Sequence, residues 1–337
     1  MSFLLADYDY DLPEHMIAQT PIEPRSNAKL LVYDRKGDRV AHTIAANLCD
    51  FISPNHAVIF NNSRVFKARL LGKKQSGGKI EALITKGSQE GVWALIKGKV
   101  SAATRLIFDG DLSAEVLRAQ SNGDRLLRFY EANEAIGFSR LIEIIEQIGK
   151  TPLPPYIKRA ANDRDATRYQ SCFAKVLGSV AAPTASLHFD PPLLERVRSR
   201  HRWAEITLHI GLGTFKGVET DDIRNHVMHR ECYAITPAAR EIIDSDAPIL
   251  AIGTTAARTI EYYVRTRKIG GECDLFLYPD NPPRRTNALL TNFHLPKSTL
   301  FMLVCSLIGV GKAKELYAIA IKNDYRFYSY GDAMLIL

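Results

Sequence analysis

Six short runs of β-type sequence between residues 66 and 130 constrain the fold more than any other feature of the chain. Turn residues separate the runs, and apolar side chains recur through each of them. The runs read KARLLG, GGKIEALIT, GVWALIKG, TRLIF, LSAEVLRA and RLLRFY. Short strands at this spacing are typical of small antiparallel barrels and sandwiches. We therefore predict a small antiparallel β-barrel domain over residues 66–150.

Helices and strands alternate on both sides of this block. SRLIEIIEQIG predicts a helix that ends at Gly149, and the proline-rich TPLPPYIKR follows as a connector. DPPLLERVRSR and TPAAREIID begin with the capping residues Asp190 and Thr236, and APILAIG is the apolar run of a buried parallel strand. The pattern predicts a layered α/β main domain. We expect residues 1–65 and 151–337 to form it, with the barrel inserted between them.

Composition narrows the class of protein further. The longest apolar run, STLFMLVCSLIGV, is too short to cross a bilayer, and the N-terminal MSFLLADYDYDLPE is unlike a signal peptide. The five cysteines include no C-x-x-C pair, which argues against a disulfide framework and a structural zinc. We expect a cytoplasmic monomer.

Positive charge is concentrated in one part of the 337-residue chain. Residues 61–110 contain ten basic and three acidic side chains, so this segment carries all of the net charge of +7. Such a segment is either a solvated strand face or a surface that binds the phosphate backbone of a nucleic acid.

The stretch HIGLGTFKG, from His209 to Gly217, follows the strand-like WAEITL and resembles a dinucleotide-binding turn. The VETDDIRNHVMHRE that follows lacks helical periodicity, so the Rossmann reading fails. The period of two places Glu205, Thr207 and His209 on one strand face, which is either solvent-exposed or lines a cleft. Glycines after such a strand let a ligand approach the backbone closely.

A second constellation lies in ILAIGTTAARTIE. An apolar strand ends at Gly253, and Thr254 and Thr255 open a helix in which Arg258 lies one turn further on. Ligands of open α/β sheets bind at the carboxyl ends of strands, and a helix start of this kind favours an anion. The alternative is an ordinary helix start with a solvated arginine.

Histidines supply the remaining candidates for chemistry: His188, His209, His226, His229 and His294. His226 and His229 give only two metal ligands, so no zinc signature is complete. The stretch MHRE brings His229 and Glu231 close together, as an acid/base pair requires.

Taken together, the motifs closely resemble those of one family, the S-adenosylmethionine:tRNA ribosyltransferase-isomerases of queuosine biosynthesis. The matching stretches run the whole length of the chain in a specific order. They are YDLPEHMIAQTPIEPR, NNSRVFKARL, PLPPYIKR, RYQSCFAKVLGSVAAPTASLHF, HIGLGTFKGV, MHRECY, AIGTTAARTIE, TNFHLPKSTLFMLV and YRFYSYGDAMLIL. Two positions depart from the family pattern: Ser186 stands where glycine is usual, and Ala256 where a hydroxyl residue is usual.

The resemblance implies an enzyme that acts on tRNA carrying 7-aminomethyl-7-deazaguanine at the wobble position. It transfers the ribosyl part of S-adenosylmethionine to that base and isomerises it, giving epoxyqueuosine and releasing adenine and methionine. S-adenosylmethionine is then a consumed substrate, and no metal or other cofactor is implied. The resemblance also implies an α/β domain with an inserted β-barrel.

The steps of this reaction suggest roles for particular residues. A base must remove a C5′ hydrogen next to the sulfonium, and adenine leaves more readily when protonated. We expect His229 and Glu231 to be the acid/base pair, with His209 and His188 as alternates. The residues expected to bind S-adenosylmethionine are Glu205, Gly211, Gly213, Thr214, Phe215, Gly253, Thr254, Thr255 and Arg258.

The basic segment becomes the expected tRNA-binding surface under this resemblance. The contacts expected from charge are Arg64, Lys67, Arg69, Lys73 and Lys74, with Lys158 and Arg159 beside the connector. A tRNA methyltransferase that uses S-adenosylmethionine is the rival within enzymes, and a non-catalytic RNA-binding protein is the rival from another class.

Overall fold

The computed structural model describes residues 3–120, 123–211, 213 and 217–337. The strands are β1 (Lys29–Asp34), β2 (Arg39–Ile44), β3 (Ala57–Asn61), β4 (Ser63–Val65), β5 (Arg69–Lys74), β6 (Lys79–Gly87), β7 (Val92–Lys97), β8 (Arg105–Phe108), β9 (Leu112–Ala119), β10 (Asp124–Glu131), β11 (Glu134–Ile136), β12 (Val176–Ser179), β13 (Trp203–Leu208), β14 (Glu231–Ile235), β15 (Ile249–Ile252), β16 (Gly270–Cys273), β17 (Thr286–Asn292) and β18 (Ala333–Ile336). The α-helices are α1 (Phe138–Ile148), α2 (Asp163–Arg168), α3 (Pro191–Arg200), α4 (Pro237–Asp244), α5 (Thr254–Thr266), α6 (Thr299–Ile308) and α7 (Val310–Lys322).

A nine-stranded mixed sheet forms the larger part of the molecule, in the order β16-β14-β13-β3-β15-β17-β18-β1-β2. Its centre is parallel, because β3 pairs in parallel with β13 and β15, and β15 pairs in parallel with β17. The carboxyl ends of these four strands therefore lie at one edge, where open α/β sheets bind ligands.

Helices cover both faces of this sheet, so its central strands are apolar on both sides. On β3, Ala57 and Ile59 pack toward α4 and α5, whereas Val58 and Phe60 pack toward α3. The period of two along a strand produces this division. The caps expected from sequence are present: Asp190 accepts from the amide of Leu193, and Thr236 accepts from that of Ala239. The prediction of a layered α/β fold is confirmed.

Six antiparallel strands close into a barrel beside this sheet. The ring runs β5-β6-β7-β10-β9-β8 and returns to β5, since β10 pairs with both β7 and β9. Alternate side chains fill the interior, and α1 covers it with Leu141, Ile144 and Ile145. The predicted small antiparallel barrel is confirmed, with β11 as an additional strand on β10.

The chain enters and leaves the barrel next to the main sheet. Just before the barrel, β4 pairs in parallel with β12, and the backbone of Arg69 bridges that of Lys150. The nine-stranded sheet uses residues 29–61 and 203–336, and the barrel strands lie within residues 69–131. The domain limits at 66 and 150 stay a prediction. None of the helices in the described residues is long and apolar enough to cross a membrane.

Candidate active site

A cavity opens at the carboxyl edge of the parallel strands, directly after β15. Gly253 has a φ of +88°, a left-handed conformation that side chains rarely adopt, and α5 begins at the next residue. About 780 Å³ of space, including the open mouth, lies between the lining residues. They are Tyr156, Tyr169, Ala181, Ala182, Pro183, Thr184, Ala185, Ile210, Gly253, Thr254, Thr255, Arg258, Thr291, Asn292, His294, Leu295, Ser298, Leu300, Tyr328 and Ser329. We call it the main cavity.

Arg258, which lines the main cavity, forms a buried ion pair with Glu231. Arg258 is 5% exposed and Glu231 4% exposed, and Arg258 Nη1 donates to Glu231 Oε2 over 2.5 Å. Burial alone lowers the pKa of Arg258, but the Glu231 carboxylate beside it raises that pKa overall. The Arg258 Nη2 atom is buried and has no hydrogen-bond partner among the residues that the structure describes. Arg258 is therefore charged, fixed in place and left with one unused donor.

The other oxygen of Glu231 holds the glycine-rich stretch. Its Oε1 atom accepts from the amide of Gly211 over 3.2 Å. A single carboxylate thus joins the beginning of the His209–Gly217 segment to α5, which carries Arg258. The sequence motifs HIGLG, MHRE and GTTAAR meet at this point.

A smaller cavity lies next to the main one and shares Arg258 and Leu300 with it. Its other lining residues are Gly213, His226, Met228, His229, Glu231 and Thr299. The His229 ring packs on the backbone of Gly213, since a Cβ atom placed on that glycine would lie 2.1 Å from His229 Cγ. Gly213 therefore accommodates the histidine, and the predicted pair of His229 and Glu231 lies together beside Arg258.

The two alternate histidines lie outside both cavities. His209 packs against Gly178, where a Cβ atom would lie 2.8 Å from His209 Cε1, and burial lowers the pKa of the imidazole. His188 is buried and lines a separate small cavity that shares only Ser329 with the main one. Burial lowers the pKa of His188 to about 4, although the nearby Asp332 opposes the shift.

Glu205 and Thr207 do not form a solvent-exposed strand face, which is one of the two alternatives that the sequence leaves open. Both are at least nine-tenths buried, and Thr207 Oγ1 donates to Asn62 Oδ1 over 2.7 Å. Glu205 accepts from Lys175 at 2.8 Å and from Arg198 at 3.0 Å, and it contributes to neither cavity wall. The expectation of solvent exposure was wrong because the partners come from segments distant in sequence, which alternation along one strand does not show. A contact of Glu205 with S-adenosylmethionine stays a prediction.

Of the remaining residues predicted to bind S-adenosylmethionine, some line the main cavity and others lie outside the described residues. Thr254 and Thr255 line the main cavity, and Asn61 Nδ2 donates to Thr255 Oγ1 over 3.1 Å. Thr214 and Phe215 lie outside the described residues. Ala256, in the first turn of α5, is fully buried and packs in the apolar cluster between that helix and the sheet.

Three further residues of the main cavity received no site role from the sequence: Tyr156, Tyr328 and His294, the last of which was only one of five candidate histidines. Tyr156 and Tyr328 lie with ring centroids 3.9 Å apart, and the Tyr156 hydroxyl is 2.5 Å from Ser329 Oγ. His294 Nε2 is hydrogen-bonded to Thr291 Oγ1 over 2.7 Å, and burial lowers the pKa of His294 to about 3. His294 follows β17, a strand parallel to β15. Its place after a parallel strand could therefore have indicated from sequence that it lies at the same edge of the sheet as Gly253. No sequence signal places the tyrosines there.

Four of the seven predicted tRNA contacts are engaged in ion pairs. Arg64 pairs with Glu146 at 3.0 Å, Arg69 with Glu81 at 2.7 Å, and Lys158 with Glu14. Arg159 makes two 2.7 Å bonds to Asp165, which is 1% exposed. The ion pair of Arg159 with Asp165 therefore stabilises the connector that follows the barrel.

The other three predicted contacts lie at the start of the barrel. Lys73 is exposed on β5, and Lys74, beside it, reaches the carbonyl of Lys99 over 3.4 Å. Lys67 is partly exposed just before β5. None of these three side chains forms an ion pair within the described part of the chain.

The main cavity lies at the carboxyl edge of a parallel sheet, is lined by an arginine of a buried ion pair and adjoins a second cavity that contains His229. These features define an α/β protein built to bind a polar ligand. The family model of the queuosine biosynthesis proteins matches residues 5–336, and the chain belongs to this family. No group of three or more metal-binding side chains is arranged around a common point within the described residues.

Relatives with closely similar sequences carry one name. A Nitratiruptor sp. protein called S-adenosylmethionine:tRNA ribosyltransferase-isomerase is 52% identical, over 98% of this chain and 97% of its own. A Campylobacter jejuni protein of the same name is 51% identical, over 99% and 98%. The crystal structure of the S-adenosylmethionine tRNA ribosyltransferase from Thermotoga maritima matches with a TM-score of 0.55 and 33% identity, covering 98% of this chain and all of that one.

Proposed function

We propose that the chain is an S-adenosylmethionine:tRNA ribosyltransferase-isomerase. It transfers the ribosyl part of S-adenosylmethionine to 7-aminomethyl-7-deazaguanine at the wobble position of tRNA and isomerises it to give epoxyqueuosine. Adenine and methionine leave. Membership of the queuosine family and the names of relatives that are about half identical support this function.

The observation that carries the proposal is the buried Arg258–Glu231 pair between the main cavity and His229. S-adenosylmethionine occupies the main cavity, where Thr254, Thr255 and the unused Nη2 donor of Arg258 are available to its carboxylate. The tyrosine faces of the same cavity suit a sulfonium, which is attracted to aromatic rings.

His229 and Glu231 carry the proton transfers in this proposal. The sulfonium acidifies the C5′ hydrogens, so one of the two groups removes a proton there. Protonated adenine is the better leaving group, so an acid delivers a proton to its nitrogen. Arg258 holds the Glu231 carboxylate in a fixed position, and Gly213 lets His229 lie directly above the backbone. His209 and His188 lie outside both cavity walls and are not favoured for these roles.

Product analysis tests the reaction. The protein is mixed with S-adenosylmethionine and tRNA bearing the aminomethyl base, and free adenine is measured by chromatography. We expect adenine and methionine in equal amounts. S-adenosylhomocysteine in their place would identify a methyltransferase, and tRNA binding with no turnover would identify a non-catalytic RNA-binding protein.

The barrel supplies part of the tRNA-binding surface in this proposal, through Lys67, Lys73 and Lys74. Each phosphate contact that is lost should reduce the slope of log K against log salt by about 0.7–0.9. The test is Lys73→Gln/Lys74→Gln, with the exposed double variant Arg202→Gln/Arg240→Gln as a charge-matched control. An unchanged slope in the double variant means that this part of the barrel is only a solvated face.

We propose further that S-adenosylmethionine is consumed as a substrate, that no metal or other cofactor takes part, and that the protein works as a cytoplasmic monomer. These statements rest on the resemblance described above. Turnover after dialysis against a chelator, light scattering of the free protein and cell fractionation test them in turn.

A further inference from the structure

An open groove that lies away from both cavities contains three arginines. Arg25, Arg64 and Arg168 line it together with Ser171 and the exposed Cys172. Two carboxylates, Glu23 and Asp190, also contribute to its wall. We call this feature the arginine groove, and among its lining residues only Arg64 has been assigned a functional role above, as an expected tRNA contact.

The positive charge of the arginine groove is only partly compensated: Arg64 pairs with Glu146 and Arg168 with the exposed Glu23, whereas no ion pair holds Arg25 within the described residues. Arg25 Nη2 donates to the carbonyl of Thr167 over 2.7 Å and Nη1 to that of Gln170, so carbonyl groups hold it in place. Burial lowers the pKa of Arg25, and the like charge of Arg168 lowers it further. Two guanidinium groups that repel each other in this way favour an anion between them.

The carboxylates of the groove do not supply that anion. Asp190 is occupied by the hydroxyl of Ser26 and by the amide of Leu193, which it caps. Glu23 pairs with Arg168 at 2.8 Å, but its side chain is 75% exposed and gains little from the contact.

Two polar atoms in the groove are buried without a hydrogen-bond partner in the described residues: Ser171 Oγ and Arg168 Nε. Ser171 is 6% exposed. Buried polar groups are normally satisfied, so an unpaired hydroxyl beside guanidinium groups points to a ligand with acceptor oxygens. A phosphate has such oxygens and the charge that the arginines require.

The position of the groove favours an RNA backbone over a free phosphate. Arg25 and Arg168 also line the small cavity that contains His188, and Ser329 is shared between that cavity and the main one. On its other side the groove reaches Arg64 on β4, just before the basic barrel. A continuous wall therefore runs from the barrel to the main cavity.

We propose that the arginine groove binds a phosphodiester of the tRNA backbone, next to the nucleotide whose base enters the main cavity. Arg25 and Arg168 bind the phosphate oxygens, and the Ser171 hydroxyl donates a further hydrogen bond. The inference rests on the proposed function, because it takes tRNA as the substrate.

Two variants test the groove by different routes. Arg168→Gln removes one charge and should lower the salt slope of tRNA binding by about 0.7–0.9. Ser171→Glu places a negative charge in the groove and should raise the Kd for tRNA about tenfold or more, because like charges are brought together. Arg202→Gln and Ser53→Glu, both at exposed positions that do not line the arginine groove or the cavities described above, are the controls with the same change of charge. Circular dichroism confirms that each variant is folded.

Kinetics separate a binding role from a structural one. Adenine release should show a raised KM for tRNA in both groove variants, with kcat close to that of wild type at saturating tRNA. A Kd and salt slope equal to those of the controls in both folded variants would overturn the proposal. So would competition by inorganic phosphate at constant ionic strength that is lost in the variants while tRNA binding is unchanged, since the groove would then bind free phosphate.

Failure of the proposed function has a different signature. Wild-type protein that binds tRNA but releases no adenine contradicts the proposed reaction. The arginine groove is then judged by tRNA binding alone, comparing wild type with Arg168→Gln and Ser171→Glu.

Discussion

The carboxyl edge of the nine-stranded sheet and the β-barrel hold their charges in opposite ways. At the sheet edge, the side chains of Arg258 and Glu231 are 6% and 4% exposed and 2.5 Å apart. On the barrel, Arg69 and Glu81 are 2.7 Å apart, but their side chains are 31% and 28% exposed. Removal of one partner is costly for a buried pair and nearly neutral for a solvated one.

The histidines are also distributed unequally between the sheet domain and the barrel. All nine histidines lie outside residues 66–150, and His188 and His294 are buried and held neutral. The sheet edge is thus fixed before a ligand arrives, whereas the barrel keeps exposed lysines. A site for proton transfer benefits from fixed groups, and a surface for phosphates benefits from accessible ones.

The largest expected effect is on the stability of the sheet. Arg258→Met leaves Glu231 buried without its counter-charge, so the free energy of unfolding should fall by about 3–5 kcal/mol. Urea denaturation measures the change. The double variant Arg258→Met/Glu231→Leu should recover most of the loss, because an apolar pair replaces the buried charges. Wild-type stability in the single variant would show that Glu231 is not confined in solution as it is in this structure.

The second largest expected effect is on turnover, when His229 or Glu231 is replaced. His229→Ala should lower the rate of adenine release at least about 100-fold, which is the usual scale for a general acid or base. Glu231→Gln, which keeps the shape of the carboxylate, should have a comparable effect, and tRNA affinity should remain close to wild type in both. The exposed His15→Ala is the control. Near-normal turnover in both cavity variants contradicts the acid/base assignment.

Local sequence rules predicted the framework of the fold because they act over a few residues. Asp190 and Thr236 are capping residues with proline after them, and the apolar run before Gly253 requires burial on both sides. The number and spacing of the strands predicted a closed barrel. The pairing of β9 with β10, which completes the ring, depends on strand register and was not predicted.

The site was only partly predictable, for a physical reason. His229 and Glu231 are two residues apart, so sequence placed them together. Arg258 meets them through the fold alone, and Glu205 was misjudged because Lys175 and Arg198 neutralise it from other segments. Pairing across the fold decides whether a charged side chain faces a ligand or another side chain.

The pH dependence of stability should follow the buried histidines. The pKa values of His188 and His294 in the folded chain are about 4 and about 3, against about 6.5 when unfolded. Below pH 6.5 the unfolded chain binds more protons, so this stability is present above that pH and is lost as the pH falls toward 3–4. Between pH 7.5 and 5.5 the two histidines together should remove about 2.5 kcal/mol.

Urea denaturation at the two pH values measures this loss, and His188→Leu should reduce it by about half. Because the barrel contains no histidine, the fluorescence of Trp93 on β7, measured in a Trp203→Phe variant, should report local unfolding of the barrel that depends less on pH. An equal loss of stability in the His188→Leu variant would mean that other groups govern the acid response.

The smallest expected effect is on the barrel and completes the comparison with Arg258. Arg69→Gln breaks a solvated ion pair, so the free energy of unfolding should fall by no more than about 1 kcal/mol, and by less in high salt. Urea denaturation at low and high salt measures both quantities. A loss as large as that of Arg258→Met would show that the pair supports the bridge between Arg69 and Lys150 where the chain leaves the barrel. The barrel and the sheet would then share one source of stability at that junction.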